Sequence, residues 1–509
     1  MRVRSALFLS AAVIAATLIP IGALASVPTP TVQAASTPAT VAPVHLDAKA
    51  VAAAAAPAPT RSRTFSGGYL QGTLRTKLSA EAFSSSVVGN LTGHTDGDVD
   101  VVAAYLDGSV HIWSARTGRQ EFVIQTGSAI RASPALVRLR AGGGYMLLLA
   151  NDAGTVYMYG WVNHQPHLVF RKSVPRSTHR PGIFGTPTLA NLDNNGKMYV
   201  VVSSFDQHLY VWDLAGNNKK GFPYFAQDTI WSSPTVTKVD GDAYPRIIFG
   251  YDCGGSGAQT CYQKWHTHGG VLTSLRHDGS TAPGWPQLIP GQVVWSTPAV
   301  ASLYGGTKKQ IIVGTGLFYS NAGYATYVFD SSGHRLMTVP MHGRTFSSPA
   351  IGDVMGTGSG APQIVIGDEF GHTDIIDGKG HRLVDVCTAK LNTCVMSHSS
   401  PIIGDLYGNG HQEVVAVGGN TFSIIDHTGR ITNTVQIKET ALGLAASPTL
   451  VNIDGKATLF FTLMAKSAGG NQAEVVSYTF PTRAGASAWP MFKGNTQRSG
   501  ASGKVVPNA

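Results

Sequence analysis

The chain has 509 residues, 43% of them hydrophobic, which is enough apolar material for a packed core and excludes wholesale disorder. Only 13% of residues are charged while glycine numbers 59, a balance that excludes a helix-rich protein and favours turns and short strands. The formal net charge of +9 is scattered without a long basic block, so specific nucleic-acid binding is not expected.

At the amino terminus, Arg2 and Arg4 precede an apolar run from Ala6 to about Leu24 and the small residues Ala23-Leu24-Ala25. These are the charged, greasy and small parts of a secretory signal peptide over residues 1–25. Export is the expectation, to a secreted or cell-surface location. No later stretch is apolar enough to span a membrane, so the mature chain crosses one only if the signal segment is retained. Residues 26–62 are almost entirely Ala, Pro, Thr, Val and Ser, a mobile linker that buries too little to offset its ordering entropy. Residues 501–509 read as a disordered tail. The four cysteines all come late, and in an oxidising compartment the two short local loops, Cys253–Cys261 and Cys387–Cys394, are the favoured pairing.

Between linker and tail the sequence repeats itself. A Ser/Thr-Pro step followed by an apolar run recurs at Ser133-Pro134, Thr186-Pro187, Ser233-Pro234, Thr297-Pro298, Ser348-Pro349, Ser400-Pro401 and Ser447-Pro448. The proline intervals are 53, 47, 64, 51, 52 and 47 residues, and Ser85-Ser86-Val87 is an earlier copy without the proline. Each unit then runs through short strands separated by Gly, Asn and Asp. Val101 to Ala104 with Val110 to Trp113, Tyr199 to Val202 with Leu209 to Trp212, Ile364 to Ile366 with Thr373 to Ile376, and Val414 to Val417 with Phe422 to Ile425 are examples. Units of this length with four short strands predict an all-β, eight-bladed propeller over residues 63–500, with repeats starting near 84, 131, 184, 231, 295, 346, 398 and 445. Seven blades is the alternative. Arg63 to Leu74 and Trp489 to Phe492 are the candidates for the strand that fastens the ring.

The stretch Asp405-Leu-Tyr-Gly-Asn409-Gly410-His-Gln-Glu413-Val-Val-Ala-Val-Gly418 resembles the FG-GAP or VCBS-type repeat of bacterial secreted propellers and integrin α-subunit heads. So do Asp353 to Gly358 and Asn191 to Gly196. Gly221-Phe222-Pro223, Gly284-Trp285-Pro286 and Ala488-Trp489-Pro490 are also similar to bacterial members. Trp113 to Gly118 and Gln125 to Gly127 look instead like the repeat of quinoprotein-type propellers. In the FG-GAP family the loop between the first two strands of a blade can hold calcium. The resemblance implies calcium ligands at Asp405, Asn409 and Glu413 of blade 7, because a hard cation needs several oxygens on a tight turn. No other cofactor is expected.

The position three residues before each repeat proline reads Ser84, Arg131, Phe184, Trp231, Trp295, Phe346, His398 and Ala445. In a propeller these positions form a ring near one mouth of the channel, with aromatics on one contiguous arc flanked by Arg131 and His398. Such rings can stack on sugars or other planar and apolar faces, or wedge between blades as packing. Two insertions open near the same face. Asp252 to Gly270 carries Trp265 together with Cys253 and Cys261, and Leu317 to Tyr324 carries Tyr319 and Tyr324.

No HExxH, GxSxG or Walker A pattern is present, and no nucleophile stands out. The expectation is a monomeric, non-catalytic recognition or scaffold module for an extracellular glycan, polymer or protein. A secreted polysaccharide lyase or hydrolase, or a quinoprotein dehydrogenase, is the alternative.

Overall fold

The computed structural model describes residues 56–69, 84–175, 182–254, 259–317, 323–356, 361–388, 394, 397–438, 444–467 and 470–501. The expected signal peptide, most of the linker and residues 502–509 lie outside them. Eight four-stranded antiparallel sheets form the blades of a ring, and seven of them are simple meanders from an inner to an outer strand. Blade 1, for example, runs Val87–Gly89, Asp100–Ala104, Ser109–Ser114 and Gln120–Gln125.

The Ser/Thr-Pro step has a physical reason. Each amide of this step donates to the hydroxyl of the next blade's Ser or Thr, so that Ser85 bonds Ser133, Ser133 bonds Thr186, Thr186 bonds Ser233, and Ser233 bonds Thr297. The run continues from Thr297 to Ser348, Ser400 and Ser447, and Ser447 returns to Ser85 at 2.9 Å. Eight hydrogen bonds close a circle. The closure counts Ser85, the copy without proline, as a full member and excludes the seven-bladed alternative.

Blade 8 takes its outermost strand from the other end of the chain. Thr60–Tyr69 pairs antiparallel with Gly470–Thr479, beginning just inside the expected linker. Phe65 anchors it, almost fully buried with its ring 6.3 Å from Trp113 and 5.9 Å from Phe460. Joining distant chain ends in one sheet removes an open edge that would otherwise invite pairing.

The other proposed fastener does something different. From Ala484 to Ala501 the chain crosses the innermost strands instead of joining a blade. The amides two residues after the repeat prolines, those of Leu136, Val236, Val300, Ile403 and Leu450, donate to the carbonyls of Thr496, Ser499, Gly500, Trp489 and Pro490. Innermost strands are edges, and this segment satisfies their amides from the channel side. Lys493 and Arg498 are buried within it, at 1% and 0% exposure. Lys493 Nζ donates to Pro234 O at 2.7 Å and Thr188 Oγ1 at 3.1 Å. Arg498 donates to the carbonyls of Ser85, Ser86, Pro134 and Phe492. Among the described residues neither makes an ion pair, and burial pushes the lysine well below its usual value and Arg498 down to about 9. The segment is a plug held by charge on carbonyl dipoles.

Apolar side chains fill the spaces between blades, as Phe422, Phe461 and Tyr478 do between blades 7 and 8. Gly221 and Gly284 are required at two blade contacts. Both have positive φ, and a Cβ there would meet Asp278 O and Ser332 O. The related Ala488-Trp489-Pro490 lacks the glycine and lies in the plug. The Trp113 to Gly118 motif is a turn, with Trp113 buried and its indole donating to Ser66 O at 3.2 Å.

Candidate functional site

Chain direction orders three tiers along the axis. Three residues before the repeat proline comes the mouth, one residue before it the hydroxyl circle, and two residues after it the plug. The mouth therefore opens on a cup floored by the circle and the plug.

The arc of rings is continuous. Phe184 lies 5.5 Å from Trp231, Trp231 5.1 Å from Trp295, Trp295 4.8 Å from Phe346, and Phe346 4.6 Å from His398. All are half-buried. The Arg131 guanidinium sits 4.5 Å over Phe184 and starts the arc. The opposite side carries the small, buried Ser84 and Ala445.

A second set of mouth residues escaped the sequence reading. At the end of the second strand, the amides of Asp152, Phe205, Asp252 and Glu369 donate to the carbonyls of Ala129, Gly182, Thr229 and Arg344. Those acceptors lie five residues before the next repeat proline, so the four side chains occupy equivalent places beside the arc. Superposing the repeats on the end of the second strand would have brought them out. Asp152 pairs with Arg131. Glu369 accepts from Arg344 at 2.7 and 2.8 Å, and that guanidinium lies 5.4 Å over Phe346. Phe205 joins the rings, 4.1 Å from Phe184 and 4.4 Å from Trp231.

Asp252 is the centre of this set. It is buried, and its Oδ2 accepts the Trp231 indole N–H at 2.8 Å. Burial, and then the charge of Asp228, push its carboxyl well above the usual range, against hydrogen bonds from the Trp231 and Trp295 indoles. Asp228 itself accepts the amides of Thr229 and Gly254, each at 2.7 Å. Burial and the neighbouring Asp228 thus favour the protonated form of Asp252 among its aromatic neighbours.

Trp265, Tyr319 and Tyr324 belong to the two insertions. Trp265 ends a short helix, Gln259–Trp265, that the sequence reading did not anticipate, and packs against the core of blades 3 and 4. Tyr324 rests against the core of blades 5 and 6 and is electrostatically coupled to Arg344. Tyr319 lies outside the described residues. Both expected disulfides are present, Cys253–Cys261 bracing the blade 4 insertion and Cys387–Cys394 the end of blade 6.

In the blade 7 loop, Asp405 accepts the amides of Asn409 and Gly410, Asn409 Oδ1 accepts that of His411, and Glu413 Oε2 that of Leu406. Burial pushes the Glu413 carboxyl up to about 8. Calcium needs ionised oxygens free to converge. As arranged, each of these side chains accepts at least one of the chain's own amides. A separate cleft of roughly 170 Å³ between blades 8 and 1, lined by Asp98, Asn452, Asp454 and Arg483, holds no aromatic wall.

No protein-family model matches the sequence, and neither does any curated protein sequence. Solved structures do match. BamB from Moraxella catarrhalis is 11% identical with a TM-score of 0.50, over 83% of this chain and 100% of its own. Saccharomyces cerevisiae Sqt1 is 11% identical with a TM-score of 0.54, over 84% and 100%. A europium-containing methanol dehydrogenase is 11% identical with a TM-score of 0.50, over 75% and 89%. At such identities the likeness is one of fold, the β-propeller.

Proposed function

We propose that this protein is an exported propeller of the FG-GAP type that recognises an extracellular glycan, polymer or protein in its aromatic cup, without catalysis. The observation that carries the reading is the unbroken run from Arg131 through Phe184, Trp231, Trp295 and Phe346 to His398 on one side of the mouth. The rings keep exposed surface, and Asp252 offers a polar anchor among them. Large apolar walls with few polar groups are how rigid sites hold neutral ligands. The two disulfides suit an oxidising compartment. The test is titration of a polysaccharide and surface-protein panel, read by tryptophan fluorescence. Binding should fall about tenfold in Trp231→Ala and again in Trp295→Ala, at ~1.4 kcal/mol each. If both variants lose thermal stability while every affinity is unchanged, the rings are packing and the proposal is lost.

One observation favours a second reading. A buried carboxyl pushed upward beside a second carboxyl is the equipment of polysaccharide cleavage, with Asp252 as proton donor and Asp228 as its partner. Release of reducing ends or unsaturated products, abolished in Asp252→Asn, would select this reading over pure recognition.

A further inference from the structure

Away from the mouth, the outer hairpin of blade 6 gathers chemistry that recognition in the cup does not use. Its third and fourth strands, His372–Ile376 and Arg382–Cys387, pair so that His372 faces Cys387 and Asp374 faces Asp385. Alternation along a strand places all four side chains on one face. The connection from blade 5 brings His342 over that face. Its Nε2 lies 2.7 Å from Asp385 Oδ2, and His372 Nδ1 lies 2.7 Å from Asp385 Oδ1. The two imidazoles stack at 3.9 Å with 20° between their planes. Both present a nitrogen to the same carboxylate, and the ligand atoms of all three residues lie within 4.8 Å of one another. His342 and Asp385 keep 38% and 32% of their side-chain surface exposed, so the group is reachable from solvent.

We infer that His342, His372 and Asp385 form a binding site for a divalent transition-metal ion, zinc being the fitting class. Two imidazole nitrogens and one carboxylate are a borderline-soft donor set that suits zinc and not calcium or magnesium. Binding places each ring's proton on its opposite nitrogen, and the atoms now shared with Asp385 turn their lone pairs to the cation. Solvent supplies the fourth position. A second observation points the same way. Asp374, opposite Asp385 across the hairpin, is fully buried, and its Oδ1 has no hydrogen-bond partner among the described residues. Its other oxygen is held by Arg382 Nε at 2.9 Å. Of the two other clusters among the described residues, His372 with Cys387 and Cys394 has both sulfurs in a disulfide, and His94 with Asp100 and Glu121 has Asp100 already accepting two amides and the Thr92 hydroxyl.

The experiment is calorimetric titration of zinc chloride into the full chain after chelator treatment, at pH 7.5. One ion per chain is expected. His342→Ala and His372→Ala should each weaken binding at least about tenfold. His334→Ala and His381→Ala, which disturb exposed His–Asp pairs nearby in blades 5 and 6, should leave it unchanged. Cobalt(II) in place of zinc should give visible absorption bands that are lost in the same two variants. His372→Asn, which retains a polar side chain, takes the place of His372→Ala if the latter unfolds. No zinc uptake, or uptake equal in the native chain and the His342→Ala, His372→Ala double variant, would overturn the site.

Discussion

Two circles of side chains, two residues apart along the chain, share one scaffold and obey different rules. One residue before the repeat proline, every blade carries Ser or Thr, because that hydroxyl must accept the preceding blade's amide. Three residues before it, the side chain varies from Ser84 and Ala445 to Trp231 and Trp295. A side chain that bonds the scaffold has its type dictated by the backbone it satisfies. A side chain outside that bonding is free of this constraint, so the aromatics can be confined to half of the mouth.

The plug gives the strongest way to test that division. Arg498 contacts the innermost backbone of the blades that begin at Ser85 and Ser133, and its loss strands several carbonyls at once. Arg498→Ala should cost about 3 kcal/mol or more in urea unfolding, since each hydrogen bond from a charged donor is worth ~1.5–3 kcal/mol. An unchanged midpoint would mean that the plug is peripheral to the ring.

Glu413 is the next test. Its carboxyl titrates near 8 when folded, against 4.5 in an unfolded chain, so the folded protein holds a proton that the unfolded one releases. Stability from this group is full below pH 4.5 and declines as pH rises to about 8, at up to ~1.4 kcal/mol per pH unit. Glu413→Gln should flatten that slope in denaturant melts taken from pH 5 to 8, and an undiminished slope would assign it to other groups. The smallest effect belongs to the hydroxyl circle. Ser400→Ala should cost about 1 kcal/mol and leave ligand binding in the cup intact. Loss of binding without loss of stability would erase the distinction between the two circles.

Much of this was readable in advance. The Ser/Thr-Pro period marks the blades because one hydrogen bond recurs in each, and the aromatic arc follows from equivalent positions around an axis. Cys253 with Cys261 and Cys387 with Cys394 are close enough in sequence to pair locally. Asp152, Asp252 and Glu369 were less legible, since a single acid after a strand has no local signature. Trp265 shows the converse, an aromatic in a promising insertion that a short helix turns into the core.

The order of residues along the chain by itself determined the eight repeats, most of their strands and the run of aromatic positions, because these depend on short-range patterns repeated in register, while the closed circle of hydrogen bonds decided for eight blades over seven. Only the closed ring decided that Thr60–Tyr69 completes the last blade and that Lys493 and Arg498 sit in the channel. Only the packing of blade 6 against the connection from blade 5 brought His342 to His372 and Asp385. These contacts join residues far apart in the chain, and the energy that holds each pair exists only once the ring has shut.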